Sequence, residues 1–145
     1  GAIEALGDLG DGLSTEVWWS PSHPFSSSLT RQSAKALADA YETGTKKQWT
    51  QPIGFAHALF EVASDALKRS KSLKAGDVRD AVAATKIKTV VGDVAWGGKG
   101  PFKNVSKTPL VLGQWSKGKK FKYELSIVNN DAAKAIPVGG ALKLN

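Results

Sequence analysis

From Lys120 to Ile127 the chain alternates without a break, with Phe121, Tyr123, Leu125 and Ile127 set against Lys120, Lys122, Glu124 and Ser126. Successive side chains of a strand point to opposite faces, so a charged row and an apolar row of period two mean one side buried and one in water. Leu110, Leu112 and Trp115 lead into Ser116-Lys117-Gly118-Lys119, which predicts a hairpin over 109–127. A lone hairpin is marginal in water, so other elements must cover its apolar face.

Helices supply that cover. Pro52–Arg69 places Phe55, Leu59, Val62 and Ala66 on one face, widened by Ala56, Ala63 and Leu67, with Glu61, Asp65 and Lys68 directed elsewhere. So broad an arc suits a helix lying on a sheet. Thr50 is the expected cap, Pro52 fits an early helical position, and Asp65 pairs with Arg69 at i, i+4. A second helix is predicted over Leu29–Thr43, with Thr30 as N-cap, Ala34, Leu37, Ala38 and Tyr41 on one stripe, and Gly44 as the stop. Lys74–Ala84 makes a shorter one, capped by Asp77 and burying Val78 and Val82.

Ala2–Leu9 reads as the last turns of a helix and Gly12–Ser20 as a strand. Lys86–Trp96 reads as a hairpin or bulged strand broken at Gly92-Asp93. Pro21–Ser28 is a linker, Gly97–Lys107 a Gly/Lys-rich loop, and Asn129–Asn145 an extended tail ordered by a neighbour.

The composition excludes several chemistries. There is no cysteine, which removes disulfides, thiolate catalysis and Cys-ligated metals. The two histidines, His23 and His57, are too far apart for an HExxH site. No serine sits in a G-x-S-x-G elbow, and Gly97-Gly98-Lys99-Gly100 lacks the phosphate-loop spacing. A small hydrolase built on His57 is the third-ranked reading. The net charge is +7, and Lys117, Lys119, Lys120 and Lys122 interleave with Trp115, Phe121 and Tyr123. That pattern defines the alternative of a basic α+β nucleic-acid-binding domain. Strict alternation sets those aromatics opposite the lysines, however, and charge alone speaks to solubility. No basic-then-apolar leader opens the chain and it contains no Met, so Gly1 is expected to be a cut point. Asn104-Val105-Ser106 matches the N-glycosylation pattern.

The order of the pieces carries a family resemblance. AHALFEVASDAL (56–67), VRDAVAA (78–84), TVVGDVAW (89–96) and GQW (113–115) follow one another in an order that resembles the C-terminal part of type I periplasmic solute-binding proteins. These are the branched-chain amino-acid receptors of ABC importers and their relatives for aromatic acids. The resemblance runs from Ala2 to about Asn130. It implies an α/β fold, the C-terminal segment of a two-lobed receptor: an incomplete sandwich of helices on a sheet plus a β-hairpin. It divides the chain into 1–20 (end of a lobe helix and strand), 21–28 (interlobe crossover), 29–106 (helical and hairpin segment of one lobe) and 107–145 (return hairpin and tail).

The implied function is binding and handover of a small solute, an amino acid or a small aromatic carboxylate, in a cleft that closes by a hinge, with no covalent chemistry and no cofactor. The implied partners are the membrane subunits of an ABC importer, in the periplasm, with no nucleic acid. Less than half of such a receptor is present, so a missing N-terminal portion or an intertwined homodimer is also expected. By the same resemblance Gln51, just before the long helix, reaches the solute or caps the helix, and Phe55 lies one turn on. Trp19, Ser20 and His23 fall at the crossover as cleft or hinge residues. Trp18, Trp19 and Phe55 near the cleft tilt the expectation toward aromatic acids.

Overall fold

The computed structural model describes residues 2–97 and 102–144. The chain runs α1 (Ala2–Ala5), a 3-10 turn (Gly7–Gly10), β1 (Ser14–Val17), α2 (Ala34–Thr45), α3 (Pro52–Arg69), α4 (Ala75–Ala83), β2 (Lys86–Thr89), β3 (Gly92–Ala95), β4 (Val111–Lys117) and β5 (Tyr123–Asn129). The strands form an antiparallel sheet in the order β1-β4-β5 and a separate β2-β3 hairpin.

Two apolar cores result among the described residues. Val17, Val111, Ile127 and Ile136 fill the first, under the three-stranded sheet. Trp19, Ala34, Ala38, Ala58, Val90, Val91 and Val94 fill the second, between α2, α3 and the β2-β3 hairpin. Val17 and Trp19 are separated by a single residue, yet each belongs to a different core, so the chain passes from one unit to the other at Trp18.

The period-two reading of β5 holds from Tyr123, with Tyr123 and Ile127 buried, but the strand starts only there, so Lys120, Phe121 and Lys122 belong to the turn before it. Its partner strand turns the other way. Val111 and Gly113 face inward and Leu110 is 48% exposed; the register with β5 shifts between Leu112 and Gly113, where Val128 is skipped. Gly113 is obligatory there, since a Cβ would lie 2.4 Å from Val17 and 2.9 Å from Leu125.

Helix α3 has the expected bounds, and Phe55, Val62 and Ala66 turn to the core as expected, but Leu59, Ala56, Ala63 and Leu67 do not. Gly54, Ala58, Glu61 and Ala66 are its buried residues. Leu59 (67%), Phe60 (66%) and Leu67 (50%) are exposed, with Ala56 and Ala63 beside them. Glu61, expected in water, is 1% exposed. Its Oε1 accepts the Ser28 N–H (2.5 Å) and hydroxyl (2.9 Å), and its Oε2 accepts the Val90 N–H (3.0 Å). Three donors stand in for water around that carboxylate.

Helix α2 starts later than expected. Arg31 has a positive φ of 65°, which no helix accommodates, so Ser33 replaces Thr30 as N-cap and accepts the Ala36 N–H at 3.1 Å. The helix then runs through Gly44 and stops at Lys46, left-handed at φ 59°. Thr50 gives α3 only a backbone contact, the Ile53 N–H to its carbonyl. Asp77 is not the cap of α4; Lys74 holds that position and Asp77 binds the Ser72 hydroxyl. Ala81 replaces Val82 as the buried residue of α4, Val82 being 39% exposed.

The β2-β3 hairpin reverses at Val90-Val91, two residues before Gly92-Asp93. Its tip is buried (0% and 1% exposed), held by Glu61 and by the Trp19 indole. The tail after β5 needs no neighbour: Ile136 is fully buried, and the Gln114 amide exchanges two hydrogen bonds with the Lys143 backbone. The Gly97–Lys107 loop is described except for 98–101, so most of Gly97-Gly98-Lys99-Gly100 lies outside the described residues, as does Gly1.

Candidate functional site

Just past the end of β1, adjacent tryptophans take opposite directions. Trp19 is wholly buried, and its Nε1 donates to the Val90 carbonyl at 3.2 Å. It lies so close to α3 that a Cβ at position 54 would sit 2.3 Å from its ring, which explains a glycine inside that helix. Trp18 turns the other way and meets Phe55 edge-on, with ring centroids 5.0 Å apart.

Gln51 fixes this junction. Its Oε1 accepts the Trp18 N–H at 2.8 Å and its Nε2 donates to the Glu16 carbonyl at 3.1 Å. The amide therefore pairs with the end of β1 as a neighbouring strand would, and makes no capping bond to its own helix. Gln48 adds a second link, donating to the Tyr123 carbonyl at 2.9 Å.

A cleft of about 860 Å³ opens between the two units at this junction. Tyr41, Trp49, Gln51 and Pro52 wall one side; Leu6, Leu13, Trp115, Phe121 and Leu125 wall the other; Trp18 lies at the join, with Lys46 and Lys47 also in the lining. The lining is apolar and aromatic with few polar groups, the usual make-up of a small-molecule site. Of the candidate residues from the sequence, Gln51 lines the cleft and Phe55 backs its Trp18 wall. Trp49 and Trp115 are not among those candidates. Trp49 lies in the connection between α2 and α3 and Trp115 within β4 opposite Leu125, so their meeting at the cleft is a long-range consequence that no local pattern announces.

Ser20 and His23 are each 3% exposed and lie outside that lining. His23 Nδ1 accepts the Ser20 N–H at 3.1 Å, with the Ser20 hydroxyl 2.9 Å away. The neutral ring then carries its proton on Nε2, which has no partner among the described residues. Burial pushes the imidazole down from 6.5 to about 4.

The other histidine also meets a serine: His57 Nε2 is 2.7 Å from Ser27 Oγ. Ser27 is 2% exposed, and its oxygen accepts the N–H groups of Leu29 and Thr30, both at 3.1 Å. Its one proton is thus directed at His57, and the pair braces a turn, with the hydroxyl shut away from any substrate. Among the described residues, no group of three or more His, Asp or Glu could hold a metal, and no helix is long and apolar enough to cross a membrane.

The basic hairpin is partly neutralised, with Lys117 paired to Asp8 (2.9 Å) and Lys120 to Glu42 (2.5 Å). Lys120 also sits 5.4 Å from the Phe121 ring, so at this turn a lysine and an aromatic do converge, against the expectation from alternation. Alternation lapses there because both residues fall in the turn between β4 and β5.

No protein-family model matches the chain, and no curated protein matches it. Solved structures do. A leucine-binding protein from Thermotoga maritima superposes with a TM-score of 0.66 at 16% identity, over 89% of this chain and 34% of that one. A leucine-, isoleucine-, valine-, threonine- and alanine-binding protein from Brucella ovis, in its closed conformation, gives 0.61 at 18% over 90% and 34%. An ABC transporter substrate-binding protein from Sphaerobacter thermophilus gives 0.62 at 13% over 90% and 34%. The chain spans about a third of the length of these proteins. Its helices and antiparallel sheets have the fold of part of a type I periplasmic binding protein.

Proposed function

We propose that the chain is part of the solute-binding component of an ABC importer, and that it binds an amino acid or a small aromatic carboxylate. The observation that carries this reading is the aromatic cleft between two separately cored units, in a fold shared with substrate-binding proteins. In this proposal Trp18 and Gln51 form the solute wall, Phe55 props Trp18, and Lys46 and Lys47 attract the carboxylate. Ser20 and His23, which follow the passage at Trp18, are hinge residues, and Trp19 anchors that passage from within the helical core. The segments 1–20, 21–28, 29–106 and 107–145 keep the roles the resemblance implies for them. Closing of the cleft around solute is what the transporter's membrane subunits would read, in the periplasm. The remainder of the receptor, or an intertwined second copy, completes the binding surface.

The test is isothermal titration calorimetry of the protein with L-leucine, L-phenylalanine and benzoate, repeated on Trp18→Ala. Saturable binding lost in the variant supports the reading. Absence of heat with all three, alongside hydrolytic turnover abolished by His57→Ala, would replace it with an enzyme.

A further inference from the structure

The residues of α3 are sorted in an unusual way. A helix on the outside of a globular unit turns its larger apolar side chains inward. Here the most buried positions are Gly54, Ala58, Glu61 and Ala66, flanked by Ile53, Phe55 and Val62, which pack against the helical core. At 3.6 residues per turn, the opposite side carries Ala56, Leu59, Phe60, Ala63 and Leu67. That outer stripe has no charged member, and its three large residues are 50–67% exposed. A helix apolar on both sides belongs inside a larger body.

Resting on the functional reading above, we infer that the outer face of α3 is a buried interface in the complete protein, seated against an apolar face of the same two-lobed fold. Two observations choose this occupant over a second copy. The matched structures extend over about three times the length aligned here, so about two thirds of each lies outside the part that this chain matches. The chain also carries a net charge of +7, and two copies would bring like charges together. Ala56 and Ala63 leave hollows between Leu59, Phe60 and Leu67, which suits side chains interlocking from a sheet or helix laid across them.

Because the chain has no cysteine, Ala63→Cys provides a single reporter thiol, with Phe60→Cys as a second site. Maleimide labelling is measured in the 145-residue chain and in the native-length product, whose intact mass is determined first. In the short chain the thiol reacts as an open surface cysteine. In the native-length product it reacts roughly a hundredfold more slowly, since labelling then waits for local opening. Equal rates in the two overturn the inference. So does a native product no heavier than the 15.3 kDa chain. Protection that emerges in the short chain as its concentration rises, together with a discrete dimer by light scattering, overturns it in favour of a second copy. Solute calorimetry on the same native-length product is read separately: a protected thiol without solute binding keeps the interface and removes the solute reading.

Discussion

His23 and Glu61 show how differently two buried polar residues behave. The unfolded chain protonates His23 near 6.5, but the fold resists protonation until about pH 4. Its contribution is therefore fully present above 6.5 and is lost as pH falls toward 4, by up to about 3 kcal/mol. Thermal or urea unfolding between those limits should show His23→Gln losing less stability on acidification than the parent; parallel pH profiles would remove this account. Glu61 instead draws its stability from three donors aimed at its carboxylate. Glu61→Ala strands the Ser28 and Val90 N–H groups, at an expected cost of about 3 kcal/mol in the same unfolding assay. A value near zero would show that water replaces the carboxylate. Glu61 also marks the limit of what a sequence reveals. A glutamate one turn after a histidine on an amphipathic helix looks like solvent-facing charge. Only the fold brings Ser28 and Val90, 33 and 29 residues away, to its oxygens.

Among elements, the helices supply a pair of glycines with opposite expected outcomes. Gly44 in α2 is exposed, and nothing lies within 4 Å of an added Cβ. Gly44→Ala should therefore stabilise by about 1 kcal/mol, the ordinary helix-propensity difference. Gly54→Ala has the same propensity gain, but its Cβ would collide with the Trp19 ring at 2.3 Å. Overpacking of this kind costs roughly 1–3 kcal/mol, so the net change is destabilising. Denaturant melts of the two variants give the signs; stabilisation by both would mean that the Trp19 ring does not press on α3 in solution. Element boundaries are legible in proportion to how local their causes are. Pro52 and the apolar run to Arg69 set α3 to the residue. The start of α2 is not, because the left-handed turn at Arg31 follows from Ser27 bonds to Leu29 and Thr30 and from no helical period. The outward turn of Leu59 and Leu67 in α3 and the face of β4 escape the sequence for a related reason: a pattern shows that a stripe is apolar, never what lies against it.

For the whole molecule, the arrangement of two cores with a cleft between them makes Trp18 and Trp19 opposites in function as well as direction. Three of the five tryptophans, Trp18, Trp49 and Trp115, line the cleft. A solute that enters it must change their surroundings, so intrinsic fluorescence should respond to binding. Trp18→Ala removes one wall while leaving both cores intact. It should weaken solute binding by about tenfold or more, with little change in unfolding midpoint. Trp19→Ala empties the centre of the helical core beneath Gly54 and should cost about 3–5 kcal/mol of stability. These two substitutions, at adjacent positions, separate recognition from folding. If Trp18→Ala unfolds the protein, Trp18 is a core residue and the cleft loses its wall. If it binds solute as tightly as the parent, the solute lies elsewhere in the fold. Two adjacent tryptophans between a strand and a Pro-rich crossover already suggest the division. Which tryptophan goes to which side depends on the small residues of α3, more than thirty positions further along the chain, and no local pattern carries that information.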